Sequence, residues 1–152
     1  MEFWDGFLNN RILLSALIGW FVAQVLKTLI DLFINKSFHP ERLIGAGGMP
    51  SSHSATVCAL ATAAYLEFGI ASSEFAISFV LSMIVMHDAT GVRRETGRQA
   101  VLLNTFMTQY PLKKNNKDFE TKLKEYIGHS PMQVLAGGIL GCLIAILIEY
   151  IV

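Results

Sequence analysis

Two histidines stand in short polar blocks that interrupt an otherwise apolar chain. His53 belongs to GGMPSSHSATV, residues 47–57, and His129 belongs to GHSPMQVLAGGILG, residues 128–141. Two histidines can divide a phosphoryl transfer, because one attacks phosphorus as the nucleophile and the other protonates the leaving oxygen. The residue types therefore suggest hydrolysis of a phosphate ester, provided that the fold brings the two blocks together.

The first block also has the properties of a phosphate cradle. It combines flexible glycines, a proline, and the hydroxyls of Ser51 and Ser52 at a predicted helix start, where free backbone N–H groups and the helix dipole attract anions. Basic side chains elsewhere can neutralise a dianionic phosphoryl group with forked and point-like donors. The candidates for this role are Lys27, Arg42, Arg93 and Arg94.

Each of these residues also has a purely structural interpretation. Ser51 and Ser52 are typical helix caps, and both histidines are compatible with polar positions at a membrane interface. Lys27 lies four residues before Asp31, the spacing of an ion pair on one helix face. Arg93 and Arg94 can extend to lipid headgroups. The alternatives stay open at the level of single residues, and His39 and His87 are interpreted as surface or structural.

The composition predicts an integral membrane protein. Of 152 residues, 53% are hydrophobic and only 16% are charged, which is too apolar for a typical soluble domain. We expect a single all-α, membrane-embedded domain over residues 1–152, without a cleaved signal peptide. Its predicted architecture is a multi-spanning bundle of about four transmembrane helices with one or two further helices at the cytoplasmic face. The predicted spans are residues 12–34, 54–70, 75–86 and 131–152; a further helix is predicted within 88–110 and a lysine-rich amphipathic helix over 113–126.

The distribution of charge orients this bundle. With four spans, one face receives 11 basic residues and the opposite face receives Arg11 alone, although the formal net charge is zero. The positive-inside rule places the basic face in the cytoplasm and both termini outside. The polar blocks around residues 27, 42, 51–54, 87–94 and 129 all fall on that face, so the sequence predicts a convergent site at the cytoplasmic membrane boundary.

Three blocks resemble a known family. PSSH, residues 50–53, is similar to the Pro-Ser-Gly-His motif of the phosphatidic acid phosphatase type 2 superfamily, and residues 128–141 resemble its third motif. GGMPSSHSA together with DATGVRRETGRQAVLLN, residues 88–104, resembles the divergent branch of that superfamily. The resemblance implies a helical membrane fold and a metal-independent phosphatase that forms a phosphohistidine.

The resemblance also implies roles for individual residues. His129 corresponds to the nucleophile and His53 to the acid for the leaving group, while Ser51 and the backbone of Ser52 correspond to the phosphate cradle. The family's remaining phosphate ligands correspond to Lys27, Arg42, and Arg93 or Arg94. The chain departs from the pattern in three ways. Ser52 replaces a glycine, and Gln133 replaces the aspartate that orients the nucleophile. The spacing is also stretched, since Lys27 lies fifteen residues before Arg42 and the candidate arginines lie more than thirty residues before His129. We expect Asp88, on the same face, to supply the missing negative charge through space.

The functional expectation is a membrane phosphatase that hydrolyses a phosphomonoester or pyrophosphate of a lipid or lipid-like substrate. The alternative is a non-catalytic binder or small transporter of a phosphorylated lipid or anion, which the glutamine at position 133 favours. We expect no cofactor, no metal and no nucleic-acid partner. Membrane lipids, a phosphorylated lipid substrate and further copies of the chain are the expected partners, and the expected location is the plasma membrane with the active site facing the cytoplasm.

Overall fold

The protein is a bundle of α-helices. The computed structural model describes residues 2–36, 47–109, 123 and 128–151, and these ranges contain helices and no strand. In chain order the helices are α1 (Glu2–Asn9), α2 (Arg11–Asn35), α3 (Ser52–Phe68), α4 (Ser73–Thr90), α5 (Val92–Gln109) and α6 (Pro131–Ile151). The predicted all-α membrane bundle is confirmed.

Short polar side chains specify where the helices begin. Asn10 caps α2 by accepting from the N–H of Leu13 at 2.9 Å, and Ser72 caps α4 by accepting from the N–H of Phe75 at 3.2 Å. Ser51 caps α3 in the same manner, through the N–H of Ser54 at 3.4 Å. Each cap satisfies a backbone donor that the helix itself leaves without a partner. The sequence therefore determines these boundaries locally.

Helix α3 is the centre of the bundle and contacts α2, α4 and α6. Its buried surface consists largely of alanines, which allows the neighbouring backbones to approach closely. A Cβ added at Gly137 of α6 would overlap the carbonyl oxygen of Ser51, and one added at Gly141 would overlap that of Ala55. On the α2 side, a Cβ at Gly19 would lie 3.2 Å from the same Ala55 oxygen. Small residues on three helices thus hold the bundle together.

The four predicted spans all correspond to helices. Three stretches of the described chain are long and apolar enough to cross a membrane: Arg11–Asn35, Ser73–Gln109 and Pro131–Ile151. Helix α3 has 17 residues, or about 25 Å of length, and runs between the other three. The further helix predicted within 88–110 is α5, which follows α4 after a break at Gly91.

One helix was not predicted, and one predicted helix is not tested by the structure. The short helix α1 precedes the first span and was not predicted from the sequence. The predicted lysine-rich helix over 113–126 lies outside the described residues except for Leu123. The backbone of Leu123 is bound to α5, since its N–H donates to Asn104 Oδ1 at 3.0 Å and its carbonyl accepts from Asn104 Nδ2 at 2.9 Å.

The chain direction brings the polar blocks to one end of the bundle. Helices α2 and α4 run towards this end, whereas α3 and α6 begin there. At the opposite end Arg11 of α2 forms an ion pair with Glu149 of α6, with 3.4 Å between Nη1 and Oε1. We call the end that carries Ser51, Thr90 and His129 the site end. The candidate functional residues of the described chain are grouped at or near this end.

Candidate functional site

The start of α3 forms the first part of the site. Gly47 and Gly48 have φ angles of 95° and 84°, a backbone conformation that glycine adopts readily, and they lead the chain into the helix. Ser51 is fully buried, and its hydroxyl oxygen also accepts from Ser54 Oγ at 3.0 Å. The N–H groups of the first helical turn, at Ser52 and His53, have no carbonyl one turn earlier to bind. This helix start can therefore donate to an anion.

The segment before α6 places His129. The backbone N–H of His129 donates to the carbonyl of Ala89, at the end of α4, at 2.9 Å. Gly128, with φ of 90°, lies so close to the backbone of Arg94 that an added Cβ would overlap it. The nucleophile candidate is thus attached through backbone contacts to the junction of α4 and α5. Sequence reasoning did not assign this role to Gly128, although a glycine directly before the histidine was a visible signal.

The two histidines meet. The ring centroids of His53 and His129 are 6.1 Å apart, and the ring planes are inclined at 61°. His53 is exposed at the first turn of α3, whereas His129 is buried, with 3% of its surface accessible. An exposed histidine can exchange protons with water, and a buried one can be held in a single orientation. This asymmetry suits the roles of acid and nucleophile, respectively.

Gln133 orients His129 while it caps α6. Its Oε1 accepts from the N–H of Ser130 at 3.0 Å, and the Ser130 hydroxyl accepts from the N–H of Gln133 at 3.3 Å, which is a reciprocal capping box. The same Oε1 lies 3.3 Å from Nδ1 of His129. Because an amide oxygen only accepts, Nδ1 is the donor, and the neutral ring carries its lone pair on Nε2. The Ser-x-x-Gln spacing at 130–133 was the overlooked sequence signal for this cap.

The surroundings of His129 favour its neutral form. Burial lowers the pKa of His129 below its usual value, and the nearby positive charges of His53 and Lys27 act in the same direction. Hydrogen bonds to the Gln133 side chain and to the backbone of Gly48 oppose these effects without reversing them. The neutral imidazole, which carries a lone pair on one ring nitrogen, is the form that can attack phosphorus.

Lys27 supplies positive charge from within the bundle. It lies on α2 and only 2% of its surface is accessible, which makes it one of the largest fully buried side chains of the described residues. Its charge acts on both His53 and His129. Lys27 therefore lies close enough for its charge to reach both histidines, and its role as a phosphate ligand stays a prediction.

An ion pair joins the end of α4 to the start of α5. The carboxylate of Asp88 pairs with Nε of Arg93, and the charges of both residues act on His53. Asp88 is thus paired with Arg93, and its role as a substitute for the missing aspartate stays a prediction. Arg94 meets the site through its backbone, against Gly128. Arg42 lies outside the described residues.

Within the described ranges, no group of three or more histidine, cysteine, aspartate or glutamate side chains is arranged to hold a metal ion. Cys58 and Cys142 are unpaired by disulfide and lie within the bundle. The acid–base groups described at the site end include the two histidines, Lys27 and the Asp88–Arg93 pair.

The chain is similar to known proteins over a range that includes this site. Residues 8–144 match the model of a family described as the divergent PAP2 family. The chain is similar to a protein of Bacillus subtilis (strain 168) described as "Uncharacterized membrane protein YuiD", with 41% identity over 152 residues that cover 94% of this chain and 96% of the relative. No solved structure matches the chain significantly. The family match includes every residue of the site end discussed above.

Proposed function

Because the chain belongs to the divergent PAP2 family, we propose that it is a membrane phosphatase that hydrolyses a phosphomonoester or pyrophosphate of a lipid or lipid-like substrate. The observation that carries the proposal is the pair formed by His53 and His129, with centroids 6.1 Å apart and Nδ1 of His129 directed to an acceptor. A buried histidine held as a neutral donor at Nδ1 presents Nε2 for reaction.

The proposed reaction has two steps. The phosphate enters at the start of α3, where the N–H groups of the first turn and the charge of Lys27 balance its negative charge. Nε2 of His129 attacks phosphorus, the bond from phosphorus to the leaving oxygen breaks, and protonated His53 gives its proton to that oxygen. Neutral His53 then takes a proton from water as the water attacks the phosphohistidine, which releases phosphate and restores both rings.

The test is release of inorganic phosphate by protein reconstituted in vesicles, measured with a panel of lipid phosphates and a soluble aryl phosphate in the presence of a chelator. We expect turnover without divalent metal, inhibition by vanadate, and loss of turnover in His129→Ala. The matched control is His87→Ala, which removes an exposed histidine near the end of α4. Turnover retained in His129→Ala would contradict the covalent mechanism, and turnover that needs added metal would contradict the metal-independent one.

The second candidate is a binder or small transporter of a phosphorylated lipid or anion. Gln133 favours it, because an amide holds the ring of His129 but does not stabilise a developing imidazolium as a carboxylate does. This function predicts that phosphate raises the thermal midpoint of the protein while no ester of the panel is hydrolysed. Gln133→Asp, which introduces the family carboxylate, would then be the variant in which to look for turnover.

A further inference from the structure

An apolar groove runs along the bundle between α3 and α4 and reaches Cys142 of α6. Its volume is about 430 Å³. Each helix contributes one stripe of side chains at helical spacing, and the principal wall residues are Cys58, Thr62 and Tyr65 of α3 and Phe75, Phe79 and Met86 of α4. The wall is largely hydrocarbon, aromatic ring and sulfur. Such a surface suits an apolar ligand.

The inner end of the groove lies close to the site end. There, the sulfur atoms of Cys58 and Met86 are 3.8 Å apart. Cys58 follows His53 by five residues on the same helix, which is about 8 Å along its axis. Met86 precedes Asp88, whose charge acts on His53, by two residues. A molecule whose phosphate lies at the histidines can therefore direct its remaining part into the groove.

The outer end of the groove is walled by aromatic rings. The ring of Phe75 lies 5.6 Å from that of Tyr65 and 5.6 Å from that of Phe79, measured between centroids. Met86 and Phe75 are eleven residues apart on α4, which corresponds to about 16 Å of helix. That length is about half of the 30 Å hydrocarbon core of a bilayer. The groove thus follows most of the length of α4, and aromatic rings line it at the end farthest from the histidines.

We propose that this groove holds the hydrocarbon chain of the phosphorylated substrate, and that the aromatic wall sets the preferred chain length. The inference rests on the proposed function and narrows its substrate class to a lipid phosphate with a long chain rather than a soluble ester. Bilayer lipid is as apolar as the groove, so burial from the membrane contributes little net hydrophobic energy. The groove acts instead by holding the chain in one direction, which positions the phosphate for attack.

The test compares alkyl phosphates from butyl to hexadecyl, and its readout is the ratio of kcat/KM for hexadecyl phosphate to that for butyl phosphate. Ser82→Phe places a ring in the groove, since Ser82 is a buried wall residue. We expect it to lower the ratio by about tenfold or more, the discrimination that hydrophobic pockets give for small changes in size. Turnover of butyl phosphate should stay near the wild-type value.

Two further variants control this experiment. Ile84→Phe adds the same ring on the same helix, but Ile84 points outward, with 61% of its surface accessible, so the ratio should not change. Phe75→Ala removes part of the aromatic wall and should move the optimum to longer chains. The thermal midpoint of each variant in detergent establishes that it is folded, and Ala61→Leu, at another wall position, replaces Ser82→Phe if that protein does not fold.

The possible results distinguish failure of the groove proposal from failure of the phosphatase proposal. Equal wild-type turnover of butyl and hexadecyl phosphate, or an equal loss in Ser82→Phe and Ile84→Phe, would show that the groove does not hold the chain. If no ester is hydrolysed, the phosphatase proposal is wrong. Native mass spectrometry then tests the groove separately: hexadecyl phosphate retained by the wild type but not by Ser82→Phe would show that the groove binds the chain, and equal retention by both would show that it does not. A dimer that dissociates in Ser82→Phe with an unchanged ratio would identify a second copy of the chain as the occupant instead.

Discussion

At the scale of single residues, one oxygen atom connects the fold to the proposed chemistry. Oε1 of Gln133 accepts from the N–H of Ser130, which caps α6, and lies 3.3 Å from Nδ1 of His129. Gln133, which the resemblance aligns with the superfamily aspartate, makes an orienting contact with His129 but carries no charge. The pH dependence of turnover should therefore change when a charged side chain is placed at position 133.

We expect Gln133→Asp to move the acid limb of the pH–rate profile to higher pH. Turnover requires neutral His129, so kcat/KM falls as the pH falls through the pKa of His129, which burial holds below its usual value of 6.5. A carboxylate at position 133 stabilises the imidazolium and so raises the pKa of His129. The decline of kcat/KM at low pH should therefore begin at a higher pH than in the wild type.

Gln133→Met is the matched control for this measurement. It keeps the length of the side chain but removes the acceptor, so it should lower kcat/KM without moving the acid limb to higher pH. The lost cap should also lower the stability of the protein by about 1 kcal/mol. An acid limb that does not move in Gln133→Asp would show that the limb belongs to a group other than His129.

Lys27→Met should weaken vanadate inhibition by about tenfold or more, since charge-assisted hydrogen bonds contribute about 1.5–3 kcal/mol. Lys27 is buried and its charge acts on both histidines, so we expect it to bind the anion of the proposed site. The control is Lys36→Met, at the exposed end of α2. Equal inhibition constants for the wild type and Lys27→Met would exclude Lys27 from the anion site.

At the scale of the helices, α6 combines packing with placement of the site. Its Gly137 and Gly141 lie against the backbone of α3, and the carbonyl of Gln133 accepts from the N–H of Ser51 at 3.0 Å. Helix α6, whose capping box includes the residue that orients His129, thus also contacts Ser51, the cap of α3. A change in the spacing between α3 and α6 should therefore affect both stability and binding.

Gly137→Ala should destabilise the protein by about 1–3 kcal/mol, the usual cost of overpacking, because the added methyl overlaps the Ser51 carbonyl. It should also weaken vanadate inhibition, since Ser51 caps the helix that forms the cradle. Gly138→Ala is the control: its methyl would meet only the Cys58 sulfur, at 3.3 Å. Thermal unfolding in detergent measures the difference, and equal effects of the two alanines would contradict this account of the contact.

At the scale of the whole molecule, the orientation in the membrane remains a prediction from the distribution of basic residues. A membrane-impermeant thiol reagent should label Glu74→Cys in intact cells and should label His87→Cys only after permeabilisation. Both positions are exposed, at opposite ends of α4. Wild-type protein measures the background from Cys58 and Cys142. The reverse labelling pattern would place the site end outside the cytoplasm.

The sequence by itself determined the features that depend on neighbouring residues. Apolar stretches predicted the spans, and Ser51 and Ser52 marked the start of α3. Because successive spans run in opposite directions, the order of the blocks also predicted that His53 and His129 lie at the same end. These inferences need only local chemistry and the alternation of direction.

Only the tertiary structure decided which side chains touch. The 6.1 Å approach of two rings that are 76 positions apart depends on how far α3 and α6 are rotated and how closely they pack, which glycines and alanines on both helices determine together. The pairing of Asp88 with Arg93 follows from the junction of α4 and α5. Sequence patterns specify the apolar and polar faces of each helix, but the rotation and spacing that align those faces arise from packing between helices.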